Sequence, residues 1–118
     1  MCKGSKSVED AALFCRQFRD KFQKLHCRNI YLYGVGEKTK LLLDNITDFH
    51  FVGLLDAELE GETIYGKKVC SLSDVVEMSG VIIIVARPHV TKIIYERIGS
   101  FCKDNGIEIY DLHGNILP

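Results

Sequence analysis

The 118-residue chain lacks the features that mark several common classes of protein. No apolar run approaches the roughly 20 residues that a membrane-spanning helix requires. The N-terminal residues have no apolar stretch of the kind found in signal peptides. The net charge is −1, so nothing in the composition favours a nucleic acid or an anionic membrane as partner. These absences predict a cytoplasmic protein with no membrane insertion and no nucleic-acid partner.

Metal-binding and catalytic patterns are missing as well. The five cysteines contain no C-x-x-C pair, and with the four scattered histidines they give no zinc spacing. We therefore expect free thiols in a reducing cytoplasm. Tyr65 and Lys68 are spaced Y-x-x-K, which differs from the Y-x-x-x-K of short-chain dehydrogenases. No nucleophile with a partner base and no pair of carboxylates suggests a reaction, so the sequence predicts neither a metal site nor catalytic residues.

What the chain does contain is one β-turn-α-β unit. A β-branched and aromatic run over 29–33 breaks at a Gly-x-Gly turn, passes into a leucine-rich helix pattern and returns as an apolar run ending at Asp56. Gly34 allows a sharp turn, and Gly36 lets backbone approach a pyrophosphate held by the N–H groups of the following helix. Asp56 lies where an acid accepts hydrogen bonds from ribose hydroxyls. The unit is typical of folds that bind nucleotides and dinucleotides.

Helical and extended patterns alternate along the rest of the chain. The predicted helices are 7–27, 37–47, 72–78 and 88–104, and the predicted strands are 28–33, 49–55, 69–70, 81–86 and 107–110. Because crossovers between such strands are right-handed, the alternation predicts an α/β, Rossmann-like three-layer sandwich. Its parallel sheet would have the order 3-2-1-4-5, with a short third strand. The expected organisation is an N-terminal helix (1–27), a Rossmann-like nucleotide-binding domain (28–113) and a linker or tail (114–118).

Local signals predict several of the boundaries. Ser7 is expected to cap the first helix, and Ser71 with Asp74 to form a capping box at the third. Gly80 is expected to end that third helix in left-handed geometry. Within the polar, glycine-punctuated segment that follows Asp56, a turn is predicted at Tyr65-Gly66.

The first helix carries a narrow apolar seam with alternating steps of three and four residues. Its members are Val8, Ala11, Cys15, Phe18, Phe22 and Leu25. Two interpretations are open. The helix packs on its own sheet, or it docks on a neighbouring domain or a second copy to form a homodimer.

The candidate nucleotide site lies where three loops converge, at the carboxyl ends of the strands beside the switch point. The candidate binding residues are Gly34, Val35, Gly36, Glu37, Lys38, Thr39, Asp56, Ala86, Arg87 and His89. For Asp56 the alternative role is that of a turn-forming acid. For Arg87 and His89 the alternative is a solvated loop and helix start.

Two residues depart from a standard NAD site. Thr39 replaces the third glycine of G-x-G-x-x-G, so the helix is expected to approach the first strand less closely. Glu37 places a carboxylate at the turn, where it repels a pyrophosphate unless it points away. Lys38 and Lys40 would offset that charge if they face the site. A nucleotide sugar or NAD(P) is the expected ligand, and the sequence does not choose between them.

The chain also resembles a known group of domains through three motifs. These are Gly34-Val35-Gly36, the run 52–56 (Val-Gly-Leu-Leu-Asp) and the run 61–69 (Gly-Glu-Thr-Ile-Tyr-Gly-Lys-Lys-Val). Over residues 28–113 it is similar to the N-terminal Rossmann-like domains of bacterial surface-polysaccharide proteins. These proteins are nucleotide-sugar dehydratases and sugar acetyltransferases, and related modules accompany glycosyltransferases.

The resemblance implies a function as well as a fold. In the acetyltransferases such a domain holds the nucleotide sugar, and the chemistry lies in a hexapeptide-repeat domain that has no counterpart here. Ala57 replaces a common second aspartate, and Lys68 replaces a common proline. The expected function is non-catalytic nucleotide binding in a bacterial surface-polysaccharide or sugar-transfer protein. The alternatives are a protein-interaction module with a degenerate Rossmann fold and a small NAD-dependent oxidoreductase.

Overall fold

A computed structural model describes the backbone of residues 2–117 and the side chains of residues 10–117. The helices are α1 (Cys2–Lys21), α2 (Glu37–Asn45), α3 (Leu72–Glu77) and α4 (Pro88–Asp104), and the strands are β1 (Ile30–Tyr33), β2 (Phe51–Leu55), β3 (Thr63–Ile64), β4 (Lys67–Lys68), β5 (Val81–Ile84), β6 (Ile109–Tyr110) and β7 (Ile116–Leu117). Across this described region no helix combines the length and the apolar character needed to cross a membrane.

The chain folds as an α/β protein around a mixed, mostly parallel sheet. Its strand order is β2-β1-β5-β6-β7, and β3 pairs with β4 in a separate hairpin. The neighbours β2, β1, β5 and β6 are parallel, whereas β7 runs antiparallel to β6. The placement of β5 beside β1 agrees with the sequence-based expectation. The all-parallel order 3-2-1-4-5 was wrong.

Two local features explain the difference at the sheet edges. The expected third strand contributes one isolated parallel bridge, between Val69 and Leu54, because Ser71 already begins the cap of α3. At the other edge, the Asp111 carboxylate accepts hydrogen bonds from the backbone N–H groups of His113 and Asn115, both at 2.9 Å. This turn sends the chain back as β7, so residues 116–117 form a strand where a linker or tail was predicted.

Helices cover both faces of the sheet. Alternate side chains of β1 enter two apolar clusters: Ile30 and Leu32 pack with α1 and α2, whereas Tyr31 and Tyr33 pack with α3 and α4. All four side chains are buried, as the nearly continuous apolar pattern of a central parallel strand predicts.

Helix α1 belongs to the core of its own chain. Phe18 and Phe22 are buried, and the ring centroid of Phe18 lies 5.6 Å from that of Phe49. The helix runs through Ser7 instead of beginning there, and it ends at Lys21, after which a short 3-10 turn brings Leu25 into the same cluster. The side chains of Ser7 and Val8 lie outside the described residues. The described part of the seam packs on the sheet, as the first of the two interpretations expects.

The end of α3 shows one prediction confirmed and one corrected. Ser71 and Asp74 form the predicted capping box, with both reciprocal hydrogen bonds present. The left-handed residue after the helix is Ser79, at φ +52°, and Gly80 does not have positive φ. Glycine is needed at position 80 for another reason, since a Cβ there would lie 2.7 Å from the ring of Tyr31.

Candidate functional site

The site is built around the turn that follows β1. Gly34 has φ +126°, and its N–H donates to the Leu55 carbonyl at 2.9 Å. A Cβ at this position would lie 2.9 Å from the Val85 carbonyl oxygen. Gly34 is therefore wedged between the ends of β2 and β5, and the sharp turn depends on glycine as the sequence predicted.

Gly36 has a different environment. It is the N-cap of α2, with φ −82° and ψ −169°, so its backbone conformation is open to any residue. A Cβ there would meet no atom within 4 Å. As the N-cap residue, Gly36 has no side chain with which to cap the first turn of α2. The space beside Gly36, at the start of this nine-residue helix, is therefore free of other protein atoms.

Thr39, which replaces the third glycine of the motif, ties the helix to the turn. It is fully buried, and its hydroxyl donates to the Gly34 carbonyl at 2.9 Å. The same hydrogen bond fixes the conformation of the turn. Thr39 thus has a structural role, since its hydrogen bond joins the helix to the turn. A glycine at this position would instead allow closer packing of the helix on the strand.

The charged residues near the turn do not form an anion site with their side chains. Glu37 is exposed. The Lys38 ammonium lies 5.4 Å from the centroid of the Phe14 ring on α1, and Lys40 forms an ion pair with Asp44 at 2.7 Å. The hydrogen bond to Asp44 raises the pKa of Lys40. Both lysines contact residues outside the turn, so the condition under which they would offset the charge of Glu37, that they face the site, is not met.

Asp56 ends β2 as predicted and lies at the edge of a cavity. Its Oδ1 accepts a hydrogen bond from the Glu58 N–H at 2.9 Å. This is the turn-forming role that the sequence left open as the alternative to ribose binding. The cavity measures about 230 Å³ and is also lined by Tyr33, Ser71 and Arg97. Burial raises the pKa of Tyr33, and the adjacent Arg97 guanidinium opposes that shift. Tyr33 and Arg97 are not among the residues predicted for the site, because no local sequence pattern connects them to Asp56.

The third loop follows β5. The half-buried Ala86 accepts a hydrogen bond through its carbonyl from the Thr91 hydroxyl at 3.2 Å, whereas Arg87 and His89 are exposed. Arg87 is the N-cap of α4 and makes no capping hydrogen bond with its side chain. Beside this loop lies a mostly apolar cavity of about 340 Å³, lined in part by Ala86 and Leu112. The loop reaches the predicted edge of the sheet, with the side chains of Arg87 and His89 in solvent.

Tyr65 contacts the candidate site but is not among the residues predicted for it. It lies at the tip of the β3–β4 hairpin, and its hydroxyl donates to the Val35 carbonyl at 2.8 Å. The tip of the hairpin thereby touches the turn between Gly34 and Gly36. The dipeptide Tyr65-Gly66 was a detectable turn signal, but the contact joins residues 30 positions apart and has no local signature.

Neither the site nor the rest of the described chain resembles a metal centre, because no group of three or more His, Cys, Asp or Glu side chains comes together in it. Comparison with known proteins gives no family to which the chain can be assigned: no family model, no curated protein and no solved structure matches it.

Proposed function

We propose that the chain is a Rossmann-like domain that binds a nucleotide without catalysing a reaction. The observation that carries the proposal is the geometry of the turn after β1. Gly34 makes a turn that other residues cannot adopt, and Gly36 then leaves the N-terminus of α2 open on its outer side. Backbone N–H groups at a helix N-terminus bind phosphate groups well, because they are unpaired and the helix dipole favours an anion.

The topology supports the same location. The order β2-β1-β5-β6 places the change of direction between β1 and β5. In open α/β sheets, ligands bind outside the carboxyl ends of the strands at such a point. Asp56 and the cavity beside it lie at the end of β2, the strand that neighbours β1. A nucleotide sugar or NAD(P) fits this arrangement, and a role in bacterial surface-polysaccharide or sugar-transfer chemistry rests on the sequence resemblance.

A second function, that of a protein-interaction module, is favoured by other observations. Tyr65 already contacts the turn, Lys38 and Lys40 are engaged elsewhere, and Glu37 adds a negative charge beside the expected phosphate position. A domain that kept the fold and lost the ligand would show these features. The two functions differ in whether any nucleotide stabilises the folded chain.

Thermal unfolding in the presence of millimolar UDP, UDP-glucose, NAD, NADP or CoA tests the proposal. A ligand at a hundredfold excess over Kd stabilises the native state by about 2.7 kcal/mol, which is enough for a shift of several degrees. Gly36→Val should abolish the shift, because a branched side chain would fill the space open to the phosphate. Since a Cβ at Gly36 meets no protein atom, this variant should still fold.

Two control variants make the result specific. Gly36→Ala weakens the N-cap about as much as valine does but leaves more room, so it should retain part of the shift. Asp56→Asn keeps an oxygen that can accept from the Glu58 N–H and removes the carboxylate, so it should reduce the shift without opening the loop. If none of the five ligands moves the transition, the interaction module is the better account. If the shift survives in Gly36→Val, the ligand binds elsewhere.

A further inference from the structure

A cleft separates the first half of α4 from the turn that follows β6. It is the mostly apolar cavity of about 340 Å³ beside the loop after β5. Thr91 and Tyr95 of α4 line one side, and Leu112 of the turn and Leu117 of β7 line the other. Of the residues predicted for the nucleotide site, only Ala86 lines this cleft. Because protein interiors are close-packed, with few voids larger than a water molecule, an opening of this size leaves room for a small ligand.

Both sides of the cleft are held in place by hydrogen bonds within the chain. On the α4 side, the Thr91 hydroxyl donates to the Ala86 carbonyl at 3.2 Å. On the other side, Asp111 Oδ1 accepts from the N–H groups of His113 and Asn115, and its Oδ2 accepts from the Asn115 side-chain amide at 3.2 Å. These bonds form without any ligand, so the cleft is preformed and binding does not have to order its walls.

The lining combines an apolar interior with one available positive charge. Tyr95, Leu112 and Leu117 are half-buried and contribute mostly carbon surface. Lys92 also lines the cleft, is exposed, and forms no ion pair with any residue that the structure describes. The Asp111 carboxylate already accepts three hydrogen bonds from its own turn, which leaves Lys92 as the charge free to meet a ligand. This pattern favours a molecule that is apolar over most of its surface and carries one negative charge.

We propose that this cleft binds a small amphipathic anion, namely a ring or a short hydrocarbon chain that carries one carboxylate. Its apolar body packs against Tyr95 and Leu112, and its carboxylate meets the Lys92 ammonium at the exposed side. An exposed charge pair changes a Kd by roughly two- to fivefold, so most of the affinity comes from burial of the apolar body. The inference goes beyond the proposed function and does not require a nucleotide to bind.

Titration of the wild-type chain with three probes, followed by ¹H–¹⁵N NMR, tests the site. Cinnamate combines a ring with a carboxylate, octanoate replaces the ring by a chain, and cinnamamide keeps the ring without the charge. Both anions should bind at millimolar concentration, and the ratio of their Kd values shows whether a ring or a chain is preferred. Cinnamamide should bind roughly two- to fivefold more weakly than cinnamate. The backbone amide signals of Thr91, Leu112 and Leu117 should move, whereas that of Gly36 should not.

Two variants and a matched control test the two parts of the assignment. Lys92→Met removes the ammonium group and keeps an apolar stem, so it should raise the Kd of both anions roughly two- to fivefold and leave that of cinnamamide unchanged. Ala86→Phe adds a ring at a residue that lines the cleft and should abolish binding of all three probes. Lys103→Met, at an exposed lysine of α4 outside this cleft, should bind the probes as the wild type does.

Three results would overturn the proposal. The first is that neither anion binds the wild type at millimolar concentration. The second is that the shifted signals lie away from the cleft, or that a folded Ala86→Phe binds as the wild type does. The third is that cinnamate and cinnamamide bind equally well and Lys92→Met changes neither Kd, which would refute the preference for an anion. Thermal unfolding shows whether Ala86→Phe is folded, and if it is not, the exposed Lys92 variant and the amide signals decide.

Discussion

Replacement of Gly34 by alanine tests the turn on which the site depends. At φ +126° an L-residue is strained, and such strain contributes roughly 1–3 kcal/mol against folding. The added methyl group would also lie 2.9 Å from the Val85 carbonyl oxygen. That oxygen cannot move away easily, because the N–H of Val85 donates to the Tyr33 carbonyl at 3.0 Å and holds the end of β5 against β1. Overpacking of this kind costs roughly another 1–3 kcal/mol.

Together these terms predict that Gly34→Ala lowers the free energy of unfolding by about 2–6 kcal/mol. For a chain of this size, that corresponds to a fall in Tm of roughly 8–24 °C. Circular dichroism during thermal and urea unfolding measures it. The matched control is Gly36→Ala, which has ordinary backbone geometry and no neighbouring atom, and should lose less than about 1 kcal/mol through its weaker N-cap. Equal losses in the two variants would refute the account of the turn.

Two further predictions concern the core. Phe22→Ala should reduce the free energy of unfolding by about 3–5 kcal/mol, because the ring, directly after α1, is fully buried within the chain. Leu13→Ala within α1, where the side chain is 47% exposed, should change it little. Similar losses for the two variants in urea unfolding would contradict the packing of this N-terminal segment on the sheet. Burial raises the pKa of the Cys102 thiol from 9.0 to about 11, so the folded state holds this proton longer than the unfolded state and stability is lost as the pH rises across that interval. Cys102→Ala should flatten the decline between about pH 9 and 11 in urea-unfolding measurements. An unaltered slope in this variant would contradict the assignment.

The parts of the fold that could be predicted from the sequence are those with strong local signals. β1 and β5 are apolar on both faces, so their patterns indicate central parallel strands, and the structure pairs them residue by residue from Ile30 with Val81 to Tyr33 with Ile84. The reciprocal hydrogen bonds of Ser71 and Asp74 likewise depend on residues three positions apart. Elements whose residue pattern or hydrogen bonds lie within a few consecutive residues could therefore be predicted from the sequence.

The sheet edges and the hairpin depend on partners that the local sequence does not identify. β3, β4 and β7 have two residues each, which is too short for any alternation to be visible. β7 exists because the turn at Asp111 returns the chain to β6. Gly80 is a further example. The local sequence suggested that it ends α3 in left-handed geometry, but the structure requires glycine there because the ring of Tyr31, a residue of β1, leaves no room for a Cβ.

At the site, the sequence predicted the conformational role of Gly34, but the directions of the charged side chains depend on tertiary contacts. With Lys38 against Phe14 and Lys40 paired with Asp44, a phosphate over α2 would meet backbone N–H groups and the exposed Glu37. The helix N-terminus supplies about half a positive charge, which does not cancel a full carboxylate if Glu37 faces the ligand. Glu37 must therefore stay turned toward solvent in any bound state. Affinity would then come from directional hydrogen bonds at the turn and from Asp56, and should vary less with ionic strength than binding to a cluster of lysines would.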